Sequence, residues 1–191
     1  MPLRTGRRRR SDAERNRAHV LDVARRLVAE RGISAVTMDL LAAEAAVGKG
    51  TLYRGFGNRA GLAAALLDEA EHGLQASILS GPHPLGWGAP PRKRLHAFFA
   101  AYLDFLSENV ELLVETERGT SGARFHTGAY SFWLAHVTAL LRETGHDDPT
   151  VDAHALLALV SADLYQHLEA TGVTPARIAT AIRTFVDSIT Q

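Results

Sequence analysis

Apolar residues recur at helical spacing through almost the whole chain, and this periodicity narrows the possible folds more than any other feature. From Ala13 to Arg31, the residues Val20, Val23, Ala24, Leu27 and Val28 fall on one helical face with arginines and acids between them, and Gly32 supplies a left-handed stop. Thr37 stands as N-cap to a second helix through Met38, Leu40, Leu41, Ala42 and Ala45, which ends near Ala46. After Val47-Gly48-Lys49-Gly50, the run Thr51-Leu52-Tyr53-Arg54 offers one or two helical turns. Gly55-Phe56-Gly57-Asn58 makes a turn, and a longer helix runs from Arg59 to about Leu79. The stretch Gly81 to Pro91 carries four prolines and three glycines and reads as a linker. Beyond it come an aromatic-rich helix from Arg92 to about Asn109, a short piece to Arg118, a Gly-Thr-Ser-Gly break and a helix from about Ala123 to Thr144. Two more helices close the chain, Thr150 to Thr171 and Pro175 to Ile189, the latter with Thr174 as cap. No stretch sustains a period of two. The spacing predicts an all-α fold of about nine helices.

At 191 residues, 46% of them apolar, the chain is long enough for a substantial core. It has no cysteine, which excludes disulfide scaffolds, thiol nucleophiles and iron-sulfur clusters and fits a reducing cytoplasm. Basic and acidic residues balance at 21 each, but they are unevenly placed. Met1 to Arg31 holds ten arginines against four acids, whereas His72 to Gln191 holds eight basic residues against twelve acids. Such a basic end is expected to meet nucleic acid or an anionic surface. No apolar run follows Arg7 to Arg10, and none approaches the length of a membrane span, so a cytoplasmic protein without a membrane partner is expected. The arginine run is either an arm that tracks the DNA backbone or minor groove, or a solvated tail. Both steepen the salt dependence of binding.

Two short helices joined by a tight turn form the pattern of a helix-turn-helix, although ordinary αα-hairpins share it. A helix that enters a major groove needs donors on its outer face and a few anchors on the inner one. In VGKGTLYRGF, Val47, Leu52 and Phe56 can anchor, while Lys49, Thr51, Tyr53 and Arg54 are left outward. The run Thr37 to Leu62, TMDLLAAEAAVGKGTLYRGFGNRAGL, closely resembles the TetR family of transcriptional regulators. The resemblance covers about fifty residues from Ala18 on, and beyond them it extends only to helicity and length. It implies that Thr37 both caps its helix and binds phosphate. It also implies that Tyr53 reaches the DNA backbone, that Arg59 takes a phosphate, and that Lys49 and Thr51 face the groove while Gly48 or Gly50 permits close approach. Two residues depart from the family pattern: Gly55 stands where a histidine is common, and Gly57 replaces a frequent proline, which should loosen the turn.

The remaining two-thirds offers two patterns. Phe98, Phe99, Tyr102, Phe105 and Leu106 on one helix, and Phe125, His126, Tyr130 and Trp133 on another, suit the wall of a small-molecule pocket or plain core packing. Leu156, Val160, Leu164, Leu168, Ile178, Ile182, Phe185 and Ile189 form stripes on the last two helices. Part of each must cover its own core, and the family resemblance implies that the helix pair also dimerises. No nucleophile elbow, phosphate loop or metal motif occurs; Asp163 and His167, at i,i+4 spacing on one helix, are the first pair to inspect for a metal, and neither enzyme, metal nor cofactor is expected.

These readings divide the chain into a disordered basic arm (residues 1–12), a helix-turn-helix domain (13–60) and a ligand-binding and dimerisation domain (61–191). The expected protein is a homodimeric DNA-binding regulator, released from a palindromic double-stranded operator by a small-molecule effector. The alternative is a ligand-independent regulator or activator with a solid C-terminal core.

Overall fold

Helix is the only regular structure among the residues described by the computed structural model, 5–118 and 122–190, with side chains described from Asp12 on. The chain divides into two compact units, Met1–Leu67 and Asp68–Gln191. The side chains of Arg7 to Arg10 lie outside the described residues. Their backbone belongs to helix α1, Thr5–Arg31, which begins before the Ala13 start that periodicity suggests.

In the first unit α1 is followed by a 3₁₀ turn at Ile33–Ala35, α2 at Met38–Glu44, α3 at Lys49–Phe56, and the opening turns of α4, Arg59–Ser80. Val20, Leu27, Val36, Leu41, Leu52 and Leu62 are its most deeply buried large residues, alongside Ala24, Ile33 and Ala63. Thr37 caps α2 as expected, its side chain accepting from the Leu40 N–H at 3.1 Å. The end of α2 sets the α2–α3 turn. Ala46 N–H donates to the Ala43 carbonyl at 3.2 Å, and Val47 N–H to the Ala42 carbonyl at 3.0 Å, with Ala46 at φ 53°. These two bonds make a Schellman ending, with an alanine in the left-handed position that glycine usually fills.

Gly57 fits this turn for a backbone reason. At φ 73° it occupies a region closed to proline, and its N–H closes α3 on the Tyr53 carbonyl at 2.9 Å. Asn58 then caps α4 by accepting from the Gly61 N–H at 2.9 Å.

The second unit contains the rest of α4, then α5 (Pro91–Glu117), a 3₁₀ turn (Ala123–His126), α6 (Gly128–Glu143), α7 (Pro149–Ala158), α8 (Ala162–Ala170) and α9 (Pro175–Ile189). Helix α5 is the centre, packing against α6, α8 and α9, while α7 packs on α6. Three boundaries differ from the periodic reading for local reasons. Helix α5 continues through Asn109 because Ser107 and Asn109 bond back to the Asp104 and Phe105 carbonyls, both at 2.8 Å, and so do not compete with the helix. Thr127 accepts from the Tyr130 N–H at 3.1 Å and starts α6 afresh after the 3₁₀ turn. The stretch read as one helix from Thr150 to Thr171 breaks at Leu159–Ser161. There the amides turn to i−3 carbonyls and Ser161 takes extended backbone (ψ 147°), opening α8 with Asp163 in its first turn. Leu156, Val160 and Leu164 keep one spacing across that break, which hides it from periodicity.

Candidate functional site

Helix α3 buries only Leu52, with Phe56 and the preceding Val47 half-buried, so the expected anchors hold and every other residue of the helix is exposed. This leaves Lys49, Thr51, Tyr53 and Arg54 on the outer surface, with Tyr53 51% accessible although its ring is apolar. The first amides of α3 have no intrahelical acceptor, and its N-cap Gly48 supplies no side-chain one, so N–H groups and the positive end of the helix dipole face outward there. A Cβ on Gly48 would lie 4.0 Å from the nearest neighbour, so the fold itself has room for a side chain at this position. Thr37 is exposed at the start of α2. Its oxygen accepts from Leu40, which leaves the hydroxyl proton to donate.

Two residues outside the sequence reading shape this face. Asp39 in the first turn of α2 pairs with Lys49 at 2.7 Å, both side chains 62% exposed, so a carboxylate holds the Lys49 ammonium on this face. Arg17 of α1 fastens the far end of α3: its guanidinium lies 4.6 Å over the Phe56 ring and donates to the Gly55 carbonyl at 3.1 Å. Arg59 donates to the Ser34 carbonyl at 3.1 Å, tying α4 to the 3₁₀ turn. Arginine is therefore partly scaffold here, which composition alone does not distinguish from a phosphate ligand. Arg54 donates to Thr51 Oγ1 at 3.3 Å along its own helix.

In the second unit the aromatic residues fall into two groups. Phe98, fully buried, lies 5.1 Å from Phe99, 5.7 Å from Tyr102, 6.0 Å from Trp133 and 5.3 Å from His136, ring centre to ring centre; Phe105 joins through Tyr102 at 5.7 Å. Leu106 is buried on the same helix. Burial pushes the Tyr102 hydroxyl up to about 12. Phe125 and Tyr130 form a separate edge-to-face pair 5.1 Å apart nearer the surface, with the Arg124 guanidinium over Phe125 and the Tyr130 hydroxyl 2.8 Å from His154 Nδ1. His126 is exposed and stands apart from the buried cluster. His136 is half-buried and held down to about 4, first by burial and then by the positive charge of Arg94. The unfolded chain therefore takes up this proton near the ordinary histidine value, and the folded chain only near pH 4. Stability is complete above about pH 6.5 and falls as the pH drops toward 4, by about 2 to 3 kcal/mol from this residue. Urea unfolding of wild type and His136→Phe at pH 7 and pH 4.5 checks this: the variant loses less stability between the two.

Among the described residues no three histidines or carboxylates gather to hold a metal. Asp163 is engaged instead by Ser161 and, at 3.9 Å, by Arg124, which hold its carboxyl below the usual range. No helix among the described residues is long and apolar enough to cross a membrane.

Leu156, Val160, Ile178 and Ile182 are buried within the chain's own core, so their side chains are not exposed to another chain. Leu164, Leu168 and Ile189 are half-buried and Phe185 is 50% exposed. Beside Phe185, Ala176, Arg177, Thr180 and Ala181 line a shallow open groove of about 400 Å³ on α9.

Residues 20–66 match the family model described as bacterial regulatory proteins, tetR family. No curated protein matches. The fold resembles that of a TetR-family transcriptional regulator from Streptomyces coelicolor (23% identity, 92% of this chain and 94% of that one, TM-score 0.62). It also resembles one from Pectobacterium atrosepticum (21% identity, 92% and 93% covered, TM-score 0.64). A third similar structure is NalD of Pseudomonas aeruginosa, the secondary repressor of the MexAB-OprM multidrug efflux pump (20% identity, 92% and 96% covered, TM-score 0.61).

Proposed function

We propose, from the premise that the chain belongs through its N-terminal domain to the TetR family of transcriptional regulators, DNA-binding proteins and not enzymes, that it is a homodimeric repressor released from its operator by a small molecule. The observation that carries the DNA-binding part is the exposure of α3: a helix held by one buried leucine and a clamped far end is free to enter a groove about 12 Å wide. In this reading Thr37, Tyr53 and the first amides of α3 take phosphates and fix register. Lys49, Thr51 and Arg54 approach base edges, Gly48 and Gly50 let the backbone come close, and Arg59 steadies α4 near a phosphate.

One recognition helix of eight residues reads few bases. A two-fold dimer presents two of them to half-sites about 34 to 36 Å apart or more, so the operator is a palindrome. The outward faces of α8 and α9, with Leu164, Leu168, Phe185 and Ile189, form the dimer contact, and the small residues beside Phe185 let a partner helix approach closely. The effector enters the second unit against the cluster of Phe98, Tyr102 and Trp133. It needs to favour a released conformation by only about 1 to 3 kcal/mol to change operator affinity roughly 5- to 150-fold.

The test is a titration of the DNA upstream of the protein's own gene with wild type and the double variant Lys49→Ala, Tyr53→Phe. Loss of one charged and one neutral contact is expected to lower specific affinity at least tenfold, leaving a weak, salt-sensitive remainder. Equal and merely non-specific binding by both proteins would sink the assignment of α3.

A further inference from the structure

We propose that Arg94 on α5 and His136 on α6 form an anion seat, and that the effector is an apolar, aromatic-sized molecule bearing a carboxylate that binds there. This rests on the reading of the second unit as the effector domain and adds the ligand's chemical class.

Arg94 is only 5% exposed, although its guanidinium is charged at every accessible pH. Buried charges are ordinarily paired. Even more exposed arginines of this unit have carboxylate partners: Arg92 pairs with Asp187 at 2.7 Å, Arg118 with Glu115 at 3.2 Å and Arg124 with Asp163 at 3.9 Å. Among the described residues Arg94 faces no carboxylate, and its buried Nε has no hydrogen-bond partner. Its guanidinium lies over the ring of Trp87, 5.0 Å away. That contact offsets charge but accepts no N–H in the guanidinium plane. From the neighbouring helix, His136 Nε2 is also buried and without a partner. Its ring meets Phe98, one helical turn beyond Arg94, edge-on at 5.3 Å. Two unsatisfied polar groups from different helices are thus both tied to Phe98, Arg94 one turn before it and His136 against its ring, and the Arg94 charge is close enough to act on His136.

A carboxylate answers both at once. It has about four acceptor positions, enough for the side of a guanidinium and for a histidine N–H, and it brings the charge that the site lacks. A neutral alcohol could satisfy a hydrogen bond but not the charge, and an ammonium would be repelled. Phe98 and Trp133 offer an apolar wall for the rest of the molecule. Trp87, 67% exposed on the Gly81–Pro91 segment, covers the guanidinium from the solvent side, so the seat lies one side chain away from water.

The test uses the full-length protein and three probes of one size: benzoate, benzyl alcohol and benzylammonium, titrated by calorimetry with tryptophan fluorescence alongside. Benzoate is expected to bind at least tenfold more tightly than the other two. Arg94→Met should remove that preference while leaving the weaker binding of benzyl alcohol unchanged and the thermal midpoint equal or higher. If Arg94→Met does not fold, His136→Phe is measured in its place and should weaken benzoate severalfold. Equal binding of the three probes, no binding of benzoate, or a preference that survives the substitution overturns the seat. Operator titrations separate this from the broader reading. Release by benzyl alcohol as readily as by benzoate leaves ligand release standing and removes the seat. Tight, Arg94-dependent benzoate binding without release from DNA by any probe keeps the seat and removes ligand release.

Discussion

Gly61→Ala is expected to disable the DNA-binding unit, although Gly61 sits in an ordinary helix near the start of α4. A Cβ there would lie 1.9 Å from the Phe56 carbonyl oxygen and 3.1 Å from its carbon, and no backbone atom can yield by the required distance without opening the turn between α3 and α4. That turn is already committed at three points, by the Gly57 amide on Tyr53, the Asn58 amide on Phe56 and the Asn58 side chain on the Gly61 amide. Overpacking against a side chain costs about 1 to 3 kcal/mol; with backbone as the obstacle, about 3 kcal/mol is expected. The opened turn also carries Phe56 away from Arg17, so α3 loses its clamp. Operator affinity should fall more than tenfold, and the first unit should melt earlier. Gly55→Ala is the control. Its Cβ meets nothing within 4 Å, and the substitution should be neutral or stabilise by about 0.5 to 1 kcal/mol. Equal effects from the two substitutions would mean that the close approach at Gly61 is not a constraint.

Gly61 also shows what a sequence can and cannot reveal. The recognition segment was legible because its determinants are local. A capping threonine, a buried leucine and outward donors lie within a few residues of each other, and the periodic signal that places Leu52 inward also places Lys49 and Tyr53 outward. The clamp by Arg17, the pairing of Lys49 with Asp39 and the tie from Arg59 to Ser34 join residues 38, 10 and 25 positions apart. An arginine that braces a carbonyl looks the same in sequence as one that waits for a phosphate. The helix breaks at Leu159–Ser161 and at Thr127 were hidden for a different reason, since apolar spacing continues through a break whenever both pieces pack on one core. The apolar stripes of α8 and α9 were visible, but their division was not. Periodicity finds a wide stripe; only the protomer's own packing shows that Ile178 and Ile182 are spent inside while Phe185 is left out.

That division yields the second large effect. Ala181→Glu combined with Phe185→Glu is expected to convert the dimer to a monomer and to reduce operator affinity more than a hundredfold without unfolding the protein. Both residues are exposed on α9, while Ile178, Ile182 and Val186, which hold α9 to its own core, are untouched. Exposed substitutions of this kind change folding stability by about 0.5 kcal/mol or less. In a two-fold contact each new carboxylate is duplicated, so four acids meet across the seam; Arg177, which lines the same groove, can offset the carboxylate at position 181, one turn along its own helix, but not the one at position 185. An unpaired charge removed from water at an interface costs several kcal/mol. The loss in DNA binding follows from geometry. Two linked recognition helices bind as one event at high effective concentration, and separating them forfeits an enhancement of about 10² to 10⁴ without altering any contact within a half-site. Sedimentation should therefore show one protomer mass at micromolar concentration. The helical circular dichroism signal should be unchanged, and a single half-site should bind variant and wild type alike. A variant that remains dimeric places the interface elsewhere. One that becomes monomeric yet binds the full operator as tightly as wild type separates dimerisation from recognition, and with it the requirement for a palindrome.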